Sequence, residues 1–129
     1  MEYRKLPRGE EQISILGLGA SSIGMAGEKE IQATAELALE NGVNFFDMAS
    51  SDAAPFAVYG RAMAGARDKM YFQIHFGADY RSGKYGWTTD LDAIKQSVDW
   101  QLKALQTDYI DFGFLHCLDE EADLRRAVD

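Results

Sequence analysis

The sequence predicts an α/β fold in which parallel strands alternate with helices. Three observations carry it. Short apolar runs alternate with segments of helical periodicity, the runs are apolar throughout rather than at every second residue, and no linker separates one unit from the next. Strand–helix alternation is the pattern of parallel strands joined by right-handed crossovers, and only strands covered on both faces are apolar throughout. Four βα units are counted over residues 15–129, preceded by a hairpin over residues 2–14. A doubly wound sheet and a barrel both satisfy this pattern, and periodicity does not choose between them.

The elements follow in order. Residues 2–14 alternate polar and apolar side chains around a turn containing Gly9, as a short hairpin does. Ile15-Leu16-Gly17-Leu18-Gly19 is a first strand, and Glu28 to Asn41 a helix with Ile31, Ala35, Ala38 and Leu39 on one face. Gly42 stands where a helix C-terminus needs a left-handed residue. Val43 to Phe46 is a second strand, ending in Asp47. Ala53 to Ala64 is a weaker helix entered through Pro55, and Lys69 to His75 a third strand. Thr88 and Thr89 offer N-caps to a long helix whose Leu91, Ile94, Val98, Leu102 and Leu105 share a face. Tyr109 to Leu115 is the fourth strand, and Asp119 caps a last helix with Glu120 and Glu121 in its first turn and Arg125 and Arg126 beyond. That helix runs to Asp129 without a stop signal, so the chain reads as cut off.

Composition narrows the class. The 129 residues include 47% apolar and 26% charged side chains, a globular balance long enough to bury a core. The lone Cys117 cannot form an internal disulfide, which fits a reducing, cytoplasmic setting. No apolar stretch is long enough to span a bilayer, and the N-terminus is too charged for a signal peptide. A net charge of -8 argues against nucleic acid, though an anionic cofactor can still be held by local donors.

Ligands of parallel α/β folds sit at the carboxyl ends of the strands, so the residues that follow each strand are the candidates. They are Gly17 to Gly24 after strand one, Asp47 and then Asp52 after strand two, His75 after strand three, and His116, Cys117 and Asp119 after strand four. Two carboxylates and two imidazoles at one mouth suit proton transfer. The same donor set also suits a divalent transition metal. Each residue has a structural reading too. Asp47 and Asp52 can cap helices, the histidines can be hydrogen-bonded packing residues, and Cys117 can be a small hydrophobe rather than a nucleophile. Gly17-Leu18-Gly19 lacks the third glycine of a dinucleotide fingerprint, because Ser22 stands in its place. The loop from Gly77 to Thr88 carries Tyr80, Arg81, Lys84, Tyr85 and Trp87, suited to covering a pocket or to packing over the sheet.

Leu16-Gly17-Leu18-Gly19, Glu40-Asn41-Gly42-Val43-Asn44-Phe45-Phe46-Asp47, Gly60-Arg61-Ala62-Met63 and Thr107-Asp108-Tyr109-Ile110-Asp111 with Leu115-His116-Cys117-Leu118-Asp119 resemble the aldo-keto reductases in order and spacing. Asp47-Met48-Ala49 and Trp87 are similar to a bacterial branch whose longer members carry a ferredoxin-like iron-sulfur tail. The resemblance implies the N-terminal half, about four βα units, of a (β/α)8 TIM barrel with a hairpin closing its bottom. It implies an oxidoreductase that reduces small-molecule carbonyls with NADPH, held near this end of the sheet by Gly19, Ala20, Ser21 and Asp47. The family's site is an Asp, a Tyr, a Lys and a His. Asp47 and His116 match two of these; Asp52 falls at the tyrosine position and His75 at the lysine position. An ionised Asp52 donates no proton, so the acid is expected at His75 or His116 with Asp47 as partner. Tyr59, just before Gly60, lies on the next helix and does not replace the missing phenol.

Most phosphate contacts of the family come from the second half of the barrel, so cofactor binding by these residues alone is expected to be weak or absent. Four strands leave apolar surface and edges uncovered. Either the chain is part of a longer protein, or two copies pair into an eight-stranded closed sheet. A non-catalytic half-barrel that binds or supports a partner is the alternative function.

Overall fold

The computed structural model describes residues 1–128; Asp129, and the side chain of Arg126 that was expected to favour the end of the last helix, lie outside the described residues. Its centre is a four-stranded parallel sheet of β3 (Leu18–Gly19), β4 (Phe45–Asp47), β5 (Tyr71–Phe76) and β8 (Phe112–Leu115), hydrogen-bonded in that order. Each strand is next to the one before it in the parallel series, as four successive βα units require. The register pairs Gly19 with Asp47, Asp47 with Gln73 and His75 with Phe114. The strand-end residues therefore share one rim.

An antiparallel hairpin, β1 (Tyr3–Lys5) and β2 (Gln12–Ser14), precedes the sheet as expected. It is fastened at the opposite rim. The Ser14 amide donates to Asn44 Oδ1 at 2.8 Å, the Asn44 amide donates to Ser14 Oγ at 3.1 Å, and Asn44 Nδ2 donates to the Gln12 carbonyl at 2.8 Å. β3 is shorter than the apolar run predicts. As an edge strand it pairs only over Leu18 and Gly19, while Ile15 and Leu16 are exposed.

A single-turn helix α1 (Ala20–Ile23) leads to α2 (Glu28–Glu40), which ends where Gly42 takes a φ of 83°, a conformation open to glycine at little cost. α3 (Ala54–Met63), entered through Pro55, runs into a 3-10 segment over Ala64–Lys69. α4 (Leu91–Leu105) is capped by Asp90, whose Oδ1 accepts the Ala93 amide at 2.8 Å. The expected caps Thr88 and Thr89 stand two residues and one residue before that cap; Thr88 Oγ1 instead accepts the Asp90 amide at 3.1 Å and orients the cap. α5 (Glu121–Val128) closes the described chain. Between β5 and α4 lies a small hairpin, β6 (Ala78–Asp79) and β7 (Gly86–Trp87), within the stretch expected to be loop.

The core lies between the sheet and α2, α3 and α4. Phe46, Phe72 and Ile74 of the sheet, with Met48 just after β4, meet Phe56, Tyr59 and Met63 of α3, with Phe46 edge-on to Tyr59 at 5.9 Å. The helices touch closely at Gly60, where an added Cβ would stand 2.4 Å from the Ala104 carbonyl oxygen. α4 is rotated relative to the predicted face: Leu105 is buried and Val98 packs against the core as expected, but polar residues take the enclosed positions beside them. Ser97, Gln101 and Leu105 are enclosed, whereas Leu91 is exposed and Ile94 and Val98 line an open groove of about 360 Å³ with Phe76 and Leu115. Ser97 enters the interior because its hydroxyl donates to the Ala78 carbonyl at 2.8 Å. Among the described residues no helix is long and apolar enough to cross a membrane.

Candidate active site

Three of the four proposed catalytic side chains meet at the shared rim. His75, the fifth residue of β5, places Nε2 2.7 Å from Asp47 Oδ1 at the end of β4. Its Nδ1 lies 3.0 Å from Nδ1 of His116, the residue after β8, with the rings nearly perpendicular at 79°. His116 Nε2 in turn is 2.9 Å from the Tyr85 hydroxyl, on the loop before β7. The strand alternation explains the inward set: His75 is two residues from Gln73, on the same face. The Gln73 amide supports the Asp47 carboxylate. Its 3.4 Å approach to His75 Nε2 is not a bond, because a nitrogen 2.7 Å from a carboxylate carries its own hydrogen.

The electrostatics follow this geometry. Burial alone pushes the Asp47 carboxyl up, but the hydrogen bond and charge of His75, the Gln73 amide and the charge of His116 outweigh it and hold the group below its ordinary value. His116 is held below the ordinary histidine value by burial and then by the charge on His75, with Asp47 acting in the opposite direction. Burial also raises the Tyr85 phenol, with the neighbouring Cys117 adding to the effect.

Asp52 does not join this chain. It pairs with the Lys84 ammonium, and its Oδ1 accepts the Ala54 amide at 3.1 Å at the start of α3. The N-cap position considered for it from sequence belongs instead to Ala53, and Asp52 turns the chain one residue earlier. Tyr59 is buried in the core with its phenol pushed up to about 12, far from a working acid. Cys117 is exposed rather than a buried hydrophobe, in a left-handed backbone conformation at φ 53°. Among the described residues no group of three or more His, Cys, Asp or Glu is arranged to hold a metal ion. Tyr85 is the residue whose role the sequence did not single out. It was legible only as one of several aromatics in the loop from Gly77 to Thr88, because nothing local indicates a partner 31 residues away.

Gly19 ends β3 beside Asp47, and Ala20 and Ser21 follow it on the same rim. Nothing lies within 4 Å of where a Gly19 Cβ would be, and Ser21 is exposed, whereas Ala20 is fully buried and shapes the floor. This is open backbone that a flat ring can approach.

The model of the Aldo/keto reductase family matches residues 15–129. Uncharacterized oxidoreductase YqkF of Bacillus subtilis is 32% identical over 120 residues, covering 90% of this chain and 39% of that protein. L-galactose dehydrogenase of Arabidopsis thaliana is 29% identical over 133 residues, 94% of this chain and 39% of that protein. The holo form of an aldo-keto reductase from Bacillus halodurans superposes with a TM-score of 0.77 at 28% identity, covering 95% of this chain and 43% of that one. An aldo-keto reductase from Klebsiella pneumoniae in complex with NADPH has a TM-score of 0.69 at 20% identity over 98% and 44% of the two chains, a likeness of fold. The chain spans about two fifths of the length of the curated relatives it matches. The architecture is therefore a partial (β/α)8 barrel, its N-terminal half.

Proposed function

Because the chain belongs to the aldo/keto reductase family, we propose that it carries the proton-handling part of a site that reduces small-molecule carbonyls with NADPH. The observation that supports this reading is the hydrogen-bonded chain Asp47–His75–His116 at the carboxyl ends of β4, β5 and β8, the rim where barrels of this kind do chemistry. The bound nicotinamide would supply the hydride. Gly19, Ala20, Ser21 and Asp47 would hold its ring end, since Gly19 leaves the backbone open there. Asp47 anchors His75, and the imidazole pair supplies the proton that a carbonyl oxygen needs as it becomes an alcohol. In a barrel completed by further sequence or by a second copy, His75→Ala then abolishes turnover, and unchanged carbonyl reduction would overturn this assignment.

The described residues offer little to grip the cofactor's phosphates, so the 129-residue chain by itself is expected to bind NADPH weakly and turn over slowly or not at all. Completion of the barrel, by further sequence or by a second copy, would be the active form. Trp87, exposed beside the site with Nε1 donating to the His116 carbonyl at 3.2 Å, provides the readout. Titrating NADPH against protein fluorescence should give a saturable change. The second reading, a non-catalytic half-barrel module, is favoured by Asp52 paired with Lys84 where the family phenol belongs; a flat titration would support it.

A further inference from the structure

Resting on that reading, we propose that Tyr85 is the outlet of a four-residue proton relay, Tyr85–His116–His75–Asp47, and that its phenol delivers the proton to the carbonyl oxygen. The links measure 2.9, 3.0 and 2.7 Å from phenol to carboxylate. They are most enclosed at His75: Tyr85 is 42% exposed, the His75 side chain 14% and the Asp47 side chain 35%. A phenol is thereby present at the rim although position 52 holds an aspartate.

The position of Tyr85 is built. Its amide donates to the Ser51 carbonyl at 3.2 Å, Asp52 and Lys84 form a backbone bridge just before it, and Gly86 pairs with Asp79 just after it. Trp87 then ties the segment to the His116 carbonyl. The segment is thus fastened to the chain after β4 on one side and to the residue after β8 on the other.

Proton bookkeeping gives the relay two states. The contact between the two Nδ1 atoms has room for one hydrogen. In the neutral state Tyr85 O–H donates to His116 Nε2, His116 Nδ1–H donates to His75 Nδ1, and His75 Nε2–H donates to Asp47. In the loaded state His75 is an imidazolium that donates to both Asp47 and His116 Nδ1. His116 Nε2–H then donates to Tyr85 Oη, and the phenol hydrogen is free to point away. Discharge connects the two. The phenol O–H bond breaks as a new O–H bond forms at the substrate oxygen, the Nε2 hydrogen of His116 passes to Tyr85 Oη, and the Nδ1 hydrogen of His75 passes to His116. One proton leaves, the pair becomes neutral, and water reloads it through the phenol.

The surroundings favour this division of labour. Burial and the charge on His75 disfavour a proton on His116, while the Asp47 carboxylate lies 2.7 Å from His75 Nε2, where it faces a charge on that ring. A phenol raised by burial is a poor acid alone. It becomes a usable one when it gains a proton from His116 as it gives its own away. The other ionisable groups that face it are Cys117 and Tyr80, whose ring centroid is 6.0 Å away, while Lys84 is engaged by Asp52.

The chain contains only two histidines, so long-range ¹H–¹⁵N spectra of the 129-residue protein, without cofactor, report each imidazole. The neutral pair should show His75 with hydrogen on Nε2 and His116 with hydrogen on Nδ1. Tyr85→Phe should shift the His116 signals and displace the midpoint of the pair's proton uptake by roughly half a pH unit or more. Acetate, used as an oxyanion probe, needs the phenol hydrogen turned outward. It should therefore raise that midpoint in the parent protein and leave it unmoved in Tyr85→Phe. Hydrogen on Nε2 of neutral His116, or a titration that Tyr85→Phe does not change, overturns the relay. An acetate response that persists in Tyr85→Phe overturns Tyr85 as the outlet. No cofactor is present in these measurements, so their failure counts against the relay, whereas a flat NADPH titration counts against the reductase reading.

Discussion

His116 costs the fold stability in acid. Its affinity for protons in the folded state is lowered, by burial first and by the charge on His75 second, from the ordinary 6.5 that unfolding restores. The unfolded chain therefore binds the proton more readily, and stability is full above about 6.5 and declines as the pH falls below it. Asp47 adds a second, lower step. Its carboxyl is held below the ordinary 3.8, so its contribution is present above that value and is lost as the pH falls through the folded one. Urea unfolding between pH 8 and 5 should show the first decline, and His116→Asn should flatten it; an unchanged slope would remove His116 as its source. These residues were legible in the sequence because strand ends are where parallel folds place chemistry, and His75 and His116 each follow an apolar run. Asp52 also follows such a run, yet its neighbour Lys84 comes from the β6–β7 loop and draws it away. Tyr85 comes from the same loop, and a loop's path across a sheet is set by tertiary packing rather than by periodicity.

Arg67, within the 3-10 segment, ties the chain entering β5 to the chain entering β8, away from the site. It donates to the Thr107 hydroxyl, the Met70 and Tyr109 carbonyls and Asp111 Oδ2, the last at 2.8 Å, and lies 3.8 Å above the Tyr109 ring. Asp111 Oδ2 also accepts the Phe72 amide at 2.8 Å. Both charged side chains are largely enclosed, so Arg67→Met leaves Asp111 without its cation and should cost about 2–4 kcal/mol in chemical denaturation. At the junction of α3 and α4, Gly60→Ala forces two backbones apart and should cost about 1–3 kcal/mol, read as a lowered melting temperature. The type and order of these elements could be read from apolar spacing. The buried face of α4 could not, because Ser97 and Gln101 are polar and earn their place through hydrogen bonds to Ala78 and to each other that spacing does not reveal. The cap of α4 was misplaced for a related reason: Thr88, Thr89 and Asp90 are all good capping residues in a row, and only the turn from β7 selects among them.

Across the whole molecule, the sheet ends at β8, where Phe114 and Leu115 are exposed and a groove continues over Phe76, Ile94 and Val98. Uncovered apolar surface of this kind beside an unpaired strand favours association. Light scattering of the 129-residue protein is expected to give the mass of two chains if copies complete the sheet, and a well-folded single chain would exclude that pairing. Leu115→Lys should then shift the mass toward one chain. The parallel sheet was legible because alternation of strand and helix dictates parallel pairing, and the half-barrel only through the family resemblance; what covers its open side was not, since no residue along the run names its neighbour. The strand order carries a consequence for synthesis. Each strand joins the edge made by the one before it, so the sheet can grow in the order in which the ribosome releases it, with no earlier strand waiting for a later one to intervene. The rim then matures in steps. Asp47 and His75 can meet once β5 is in place, but the second imidazole arrives only after Leu115, and the nascent protein has no complete proton path until that last strand has emerged.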